Sequence, residues 1–186
     1  HRLKLGHAIR THGDIVAGDQ IVGGCFPRGT PVTCSDGSQR PIEELAPGDE
    51  LLSYDLDRRT LTTARVKEKI EQQAREYVAI NNGLTVTPDH FVFTVDDFRP
   101  VRDLRVGDQL LTQSLTTEEV WSIEKRQGYF VVFTCYTVDD LPFFAKGVLV
   151  DTSEGKVPLA TLKRRTSEAQ QSAAHGPGTA GAEPGQ

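Results

Sequence analysis

The chain has 186 residues, of which 37% are hydrophobic and 25% charged, which is enough for one globular domain with its own core. Its net charge of -5 gives no electrostatic reason to expect nucleic acid or an anionic membrane as a partner. No apolar run approaches the roughly 18 to 20 residues that a bilayer-spanning helix needs, so we expect a soluble protein. We also expect it to be a monomer. The chain starts at His1 and contains no methionine, so we expect it to be a piece of a longer product of unknown cellular location.

Residues 1–24 mix basic and polar residues with glycines and predict an upstream flank. Short β-type runs then follow one another and predict an all-β domain. These runs cover residues 30–34, 51–55, 65–71, 77–87, 91–95, 109–112, 120–124, 130–138 and 143–150. The turn-forming dipeptides between them are Asp36-Gly37, Pro47-Gly48, Asn82-Gly83 and Gly107-Asp108. By composition alone residues 66–77 are also compatible with a helix, an alternative that an internal repeat disfavours.

The internal repeat relates residues 40–53 to residues 99–112, with Arg, Pro, Leu, Gly-Asp and Leu-Leu in register. In each copy a turn carries the Gly-Asp pair and the next strand carries Leu-Leu. The sequence therefore predicts two similar β-subunits about a pseudo-two-fold axis. We expect Gly48 and Gly107 to adopt positive φ, and the aspartate after each to cap its turn.

The composition changes again after Val157-Pro158, where a tract rich in Ser, Ala, Gly, Gln and Pro leads to the last residue. Such a tract cannot bury enough apolar surface to offset the entropy lost on ordering. We therefore predict a domain over residues 25–158 and a disordered polar tail over residues 159–186.

The three cysteines are Cys25, Cys34 and Cys135, an odd number without Cys-x-x-Cys spacing. This pattern argues against a disulfide framework and against a common structural zinc site. Cys34 has no activating neighbour in the sequence, and we expect it to be a buried core residue. Cys25 directly follows Gly23-Gly24, which offers the least hindered acyl group, so its thiol could attack the carbonyl of Gly24.

Cleavage of the backbone by a thiol also needs a proton donor for the leaving nitrogen and a partner for the oxyanion. Thr87-Pro-Asp-His90 lies at the end of a β-run, and its turn can bring both outer side chains to one peptide group. His90 is suited to protonate the scissile nitrogen, and Thr87 to hydrogen-bond that nitrogen or the tetrahedral oxygen. Without Cys25, His90 would be interpreted as an ordinary hydrogen-bonded turn histidine.

Four motifs in this order resemble the Hint domain shared by hedgehog autoprocessing domains, inteins and bacterial intein-like domains. The motifs are Cys25-Phe-Pro-Arg-Gly-Thr, Thr87-x-x-His90, the duplicated Gly-Asp-x-Leu-Leu unit and Phe143-Phe-Ala-Lys-Gly-Val-Leu-Val150. The resemblance covers about residues 25–152 and implies a horseshoe-like all-β fold.

The resemblance also implies a reaction, in which the first cysteine converts the upstream peptide bond to a thioester by an N-to-S acyl shift. On this chain Cys25 is then the nucleophile, Gly24 the acyl donor, and Thr87 and His90 the activators. The substrate is the chain's own upstream polypeptide, the acceptor is water or an external nucleophile, and neither a cofactor nor a metal is required.

The departures from the family pattern concern the second cut. Splicing inteins end in His-Asn, whereas here Val150 is followed by Asp151-Thr152, so the asparagine that would cyclise is absent. The upstream position that often carries another histidine is occupied near Leu141-Pro142. We therefore expect cleavage at the N-terminal junction without full splicing. The polar residues after Pro158 provide no sterol-binding segment, so we do not expect sterol transfer.

Thr134-Cys-Tyr-Thr137 is more similar to the hedgehog branch, which carries a second cysteine near the active site. Three roles stay open for Cys135: acceptor of the acyl group, disulfide partner of Cys25, or packing. Two other functions also stay open for the chain. The fold could serve as a non-catalytic structural or interaction module, or Cys25, His90 and Cys135 could hold a metal, although their spacing gives that site no support.

Overall fold

The computed structural model describes residues 24–95 and 97–151, and this part of the chain is all-β as predicted. The predicted tail and all of the predicted flank except Gly24 lie outside the described residues. The strands are β1 (Phe26–Pro27), β2 (Pro31–Thr33), β3 (Gln39–Pro41), β4 (Glu50–Asp55), β5 (Thr60–Ile80), β6 (Leu84–Val86), β7 (Phe91–Phe93), β8 (Phe98–Pro100), β9 (Gln109–Leu111), β10 (Thr117–Glu119), β11 (Ile123–Thr137), β12 (Phe143–Ala145) and β13 (Val148–Val150).

Short 3-10 turns are the helical elements of the described residues, at Ile42–Glu44, Val101–Asp103 and Val138–Asp140. None of the helices in the described part is long and apolar enough to cross a membrane.

The strands form three sheets. One has the order β1-β11-β5-β4, with β6 also paired to β5; a second contains β9 and β10. The third has the order β3-β2-β12-β13-β7-β8, which reads symmetrically about the β12–β13 hairpin. Because β2 and β3 come from the first half of the chain and β7 and β8 from the second, this sheet is built from two equivalent halves.

Matched hydrogen bonds confirm the predicted pseudo-two-fold duplication. The Gly48 amide donates to the Val66 carbonyl at 2.9 Å, and the Gly107 amide donates to the Val120 carbonyl at 2.8 Å. The two glycines have φ of 98° and 106°, as their turns require. In each copy the Gly-Asp turn is therefore hydrogen-bonded to a residue later in the chain.

The aspartates after these glycines cap their turns, also as predicted. Asp49 accepts the Ala46 amide at 2.9 Å and pairs with Arg40 at 3.1 Å. Asp108 accepts the Arg105 amide at 2.8 Å and pairs with the arginine at the start of its own repeat at 3.1 Å.

The same symmetry relates the backbone positions of Thr30 and His90. The Ile42 amide donates to the Thr30 carbonyl at 2.8 Å, and the Val101 amide donates to the His90 carbonyl at 2.8 Å. Thr30 thus occupies in the first copy the backbone position that His90 occupies in the second.

The long β5–β11 ribbon differs from the prediction in its continuity. β5 runs for 21 residues without the expected break near residues 72–76, and the helical alternative for residues 66–77 is wrong. Its buried positions alternate along the strand, but they include Gln72 and Ala74, so the pattern lacks the large apolar residues that usually mark a strand. Both β5 and β11 keep their pairing through a bulge in β11 between Gln127 and Phe130.

The principal hydrophobic core contains Cys34, which is buried as predicted, and Cys135. A smaller cluster on the other face of the ribbon contains Cys25, Ala74 and Val132. The three cysteines therefore belong to two separate packing environments.

The positive φ of the two repeat glycines generates a prediction about stability. We expect Gly48→Ala and Gly107→Ala each to lower the free energy of unfolding by about 1–2 kcal/mol, because a Cβ is strained in this backbone region. Denaturant unfolding in a Cys25→Ala background measures both. Gly83→Ala is the matched control, since its Cβ would meet other atoms only at 3.7 Å or more and its φ lies outside the strained region. Equal stability of all three variants would contradict this prediction.

Candidate active site

The pairing of β1 with β11 positions Cys25. Phe26 pairs with Phe133 and Pro27 with Val132, so the antiparallel register places Cys25 beside Thr134. Phe26 is fully buried, and its ring centroid lies 4.4 Å from that of His90. The residue after the thiol is therefore an apolar anchor that holds the junction against the histidine.

The Cys25 thiol is fully buried and is hydrogen-bonded to two polar side chains. Its Sγ lies 2.6 Å from Thr134 Oγ1 and accepts a hydrogen bond from Gln72 Nε2 at 3.2 Å. Gln72 Nε2 also donates to Thr134 Oγ1 at 3.2 Å. Burial raises the pKa of Cys25 to about 12, although the Thr134 hydrogen bond opposes the shift. The thiol is therefore neutral at physiological pH.

The Gly24–Cys25 peptide has a threonine hydroxyl at each end. Thr134 Oγ1 donates to the Gly24 carbonyl oxygen at 2.9 Å. The Cys25 amide donates to Thr87 Oγ1 at 2.8 Å, and the Thr87 amide donates to the Cys25 carbonyl at 2.9 Å. One hydroxyl can stabilise negative charge on the carbonyl oxygen, and the other holds the nitrogen that would leave.

The His90 ring lies between the two ends of the described chain. Its Nε2 is 2.8 Å from the Asp151 carbonyl oxygen, and because a carbonyl can only accept, Nε2 carries the proton of the neutral ring. Nδ1 lies against Gly24 and has no hydrogen-bond partner among the described residues. Burial lowers the pKa of His90 to about 4, and the backbone of Gly24 and of Asp151 opposes this shift.

Four of the residues singled out in the sequence come together, namely Gly24, Cys25, Thr87 and His90. Cys135 does not join them. Alternate residues of a strand face opposite sides, and Thr134 faces Cys25, so Cys135 points into the principal core. Burial raises the pKa of Cys135 to about 12.

None of the three cysteines forms a disulfide, so Cys25 and Cys135 are not linked in the described structure. Within residues 24–95 and 97–151 no three His, Cys, Asp or Glu side chains lie close enough to hold a metal ion. The metal-site alternative for Cys25, His90 and Cys135 is therefore wrong: Cys135 lies on the far face of its strand.

Three residues of the site were not predicted: Gln72, Thr134 and Asp151 in its contact with His90. Thr134 stands next to the cysteine that the sequence singled out, and only the strand register decides which of the two faces Cys25. Gln72 is only 3% exposed. What could have indicated it in the sequence is that a polar residue stands at one of the buried positions in the alternating pattern of β5. That signal becomes readable only once the strand is known.

Comparisons with known proteins identify the family and the fold. A family model described as the Hint module matches residues 17–120, more than half of the chain. The Tiggy-winkle hedgehog protein of Danio rerio is 26% identical over an alignment 135 residues long, which covers 61% of this chain and 32% of that protein. The chain thus spans about a third of the length of that relative.

Two solved structures share the fold. The bacterial intein-like domain of Clostridium thermocellum has a TM-score of 0.63 and 21% identity, over 68% of this chain and 97% of that one. A DnaB intein from Synechocystis has a TM-score of 0.60 and 18% identity, over 70% of this chain and 99% of that one. These likenesses confirm the fold predicted from the sequence motifs.

The contact between Gly24 and His90 generates a prediction. An added Cβ on residue 24 would lie 2.1 Å from His90 Nδ1, 2.2 Å from its Cβ and 2.3 Å from its Cα. We expect Gly24→Ala to displace the junction, because overpacking of this kind costs about 1–3 kcal/mol. Alkylation of Cys25 in uncleaved chain, followed by peptide mass mapping, should then be roughly tenfold faster or more.

The control for this measurement is Gly83→Ala, which should leave the alkylation of Cys25 unchanged. Shortening the histidine in Gly24→Ala/His90→Ala should not restore protection, since two of the three close contacts are to His90 Cα and Cβ. An unchanged alkylation rate in Gly24→Ala would mean that the junction has room that this geometry does not provide.

Proposed function

This chain belongs to the Hint family, and on that premise we propose that it is a self-processing domain that breaks its own Gly24–Cys25 peptide bond. The processing domain would span residues 25–158, and the substrate would be the polypeptide that ends at Gly24. The observation that carries the proposal is one hydroxyl, Thr134 Oγ1, within 2.6 Å of the Cys25 sulfur and 2.9 Å of the Gly24 carbonyl oxygen. Nucleophile and electrophile are thus held by the same group.

In the first step, Cys25 Sγ attacks the Gly24 carbonyl carbon and forms a tetrahedral intermediate. The carbon–nitrogen bond then breaks, and the nitrogen gains one proton for the one that sulfur loses. The product is a thioester between Gly24 and the Cys25 side chain, with a free amino group on Cys25. The step is an isomerisation, so no co-reactant is needed.

The leaving nitrogen requires a proton donor, and we assign this role to His90 once its Nδ1 has taken up a proton. Its Nδ1 is unpartnered among the described residues and lies against Gly24, beside the bond that breaks. Thr87 holds the Cys25 nitrogen at 2.8 Å and keeps the peptide oriented while that nitrogen becomes an amine.

In the second step, water or an external nucleophile attacks the thioester carbonyl, breaks its carbon–sulfur bond and returns the thiol to Cys25. The upstream polypeptide is released with Gly24 at its end or transferred to the nucleophile. Each chain reacts once. Full splicing is not part of the proposal, because the position after Val150 is Asp151 and not the asparagine of splicing inteins.

A second candidate function is a non-catalytic Hint module. Burial favours it, since it leaves Cys25 as a thiol and His90 as a neutral imidazole at physiological pH. Such a module would keep the chain intact, and substitution of Cys25 would change nothing.

Cleavage of a tagged chain separates the two functions. With a tagged protein fused upstream, we expect wild-type chain to release a fragment that ends at Gly24, faster with added thiol or hydroxylamine, because both nucleophiles attack thioesters. Cys25→Ala should abolish release, and His90→Ala should slow it by about 100-fold or more. Cys34→Ala is the matched control, as it removes another buried thiol and should cleave like wild type. Full-length wild-type chain that ignores hydroxylamine would support the non-catalytic module.

The pH dependence of the acyl shift follows from the two shifted groups. From about pH 6 to about pH 8.5 the Cys25 thiolate fraction rises about tenfold per unit, while protonated His90 falls equally, because the range lies between their pKa values of about 4 and 12. Their product is constant, so the rate at saturating hydroxylamine should change by less than about threefold. A steady tenfold rise per pH unit would show that His90 donates no proton in the limiting step.

A further inference from the structure

The Thr134 hydroxyl has three neighbours, and their chemistry fixes the direction of each hydrogen bond. The Gly24 carbonyl oxygen, at 2.9 Å, can only accept a proton, and Gln72 Nε2, at 3.2 Å, can only donate one. A hydroxyl has one proton and two lone pairs. The Thr134 proton is therefore directed to Gly24, and its second lone pair is left for the Cys25 thiol proton at the Sγ–Oγ1 contact of 2.6 Å.

This single arrangement satisfies all three neighbours and connects the nucleophile to the carbonyl that it attacks. We propose that Thr134 is the proton relay of the acyl shift and that Gln72 is the residue that positions it, a proposal that rests on the function proposed above. As Sγ bonds to the Gly24 carbon, the thiol proton passes to Thr134 Oγ1. The original Thr134 proton passes to the Gly24 oxygen, and the hydroxyl is restored.

The intermediate is then a neutral alcohol, and its collapse completes the balance. As the carbonyl re-forms, the oxygen loses its proton to His90 Nδ1, the carbon–nitrogen bond breaks, and His90 delivers that proton to the Cys25 nitrogen. Sulfur has lost one proton and nitrogen has gained one. No oxidant, reductant or further reactant enters.

The burial of the thiol explains why a relay is needed. With a pKa of about 12, free thiolate at about pH 7 is on the order of one molecule in 10⁵. His90 is not a base for this proton in the described structure, because its hydrogen-bond contact is Asp151 and its free nitrogen faces Gly24. Thr134 and Gln72 are the side chains hydrogen-bonded to the sulfur among the described residues.

Gln72 carries the second half of the argument. Its side chain lies on β5 opposite Val132, beside the small cluster of Cys25, Ala74 and Val132 against which Phe130 packs. Its Nε2 serves both Sγ and Thr134, but its Oε1 is buried with no hydrogen-bond partner among the described residues. An unsatisfied buried acceptor disfavours the folded state, so a leucine would suit this cluster better if packing were the only role.

The test uses the full tagged chain and the rate of the acyl shift at saturating hydroxylamine. Thr134→Val keeps the shape and removes the hydroxyl, and should slow the shift by about 100-fold or more. Thr134→Ser restores the hydroxyl and should recover most of that rate. The matched control is Thr137→Val, which removes another buried hydroxyl from β11, one that donates to the Leu141 carbonyl at 2.7 Å, and should leave the rate nearly unchanged.

Gln72→Leu tests the positioning role with a readout that packing alone would not produce. We expect the shift to slow by about tenfold, as for loss of a positioned hydrogen-bond donor, while the melting temperature stays the same or rises. A slower variant that is also less stable in the same proportion would assign Gln72 to the fold and overturn its positioning role.

The relay also moves two protons in one step of the unmodified chain. A plot of the rate against the D₂O fraction should therefore lie below the straight line that joins its two end points. This measurement needs no variant to fold. A linear dependence, or a Thr134→Val rate equal to that of Thr137→Val, would overturn the relay. In either case the proposed function stands if Cys25→Ala is inactive, whereas the absence of cleavage in wild-type chain would overturn both.

Discussion

The pairing of β1 with β11 is the constraint on which the site depends. Phe26 is buried against His90, and its pairing with Phe133 sets the position of the thiol one residue upstream. From that register follow the contact with Thr134, the approach to Gln72 on the next strand and the fit of Gly24 against the histidine. A shift of the pairing by one residue would turn Cys25 away from Thr134 and toward the principal core.

The duplicated scaffold supplies two equivalent positions about its pseudo-two-fold axis, but the proposed reaction uses only one of them. His90 and Thr30 take matching places in the backbone hydrogen bonds of the two copies. Likewise the Asp151 amide donates to the Phe91 carbonyl as the Lys146 amide donates to the Pro31 carbonyl. Of these two positions only His90 carries an imidazole. Asp151, which directly follows β13, contacts that ring through its carbonyl oxygen. The two-fold symmetry therefore accounts for the backbone framework, and individual side chains distinguish the half that carries the proposed chemistry.

The sequence was sufficient for the fold because its signals are local. The Gly-Asp turns and their repeat depend on backbone conformations that few residues adopt, and they survive in the structure unchanged. The strand pattern was less informative for β5, where Gln72 sits at a buried position and charged residues fill the exposed ones. The missed residues follow from this, because the choice between Thr134 and Cys135 depends on which face of β11 meets β1. That is a property of pairing between distant segments, and no local pattern contains it.

The hydrogen-bond partners of the Gly24–Cys25 junction in the described residues are all uncharged side chains or backbone groups. A salt bridge would be the simpler way to ionise a thiol, but a buried charge is costly unless a partner neutralises it. Here Cys25, Phe26 and His90 are buried together, and this burial leaves both titratable groups neutral at physiological pH. In such an environment, proton transfer between adjacent hydrogen-bonded groups avoids the separated charges that burial penalises. Two threonines and a glutamine, rather than a carboxylate or an ammonium group, are consistent with that requirement.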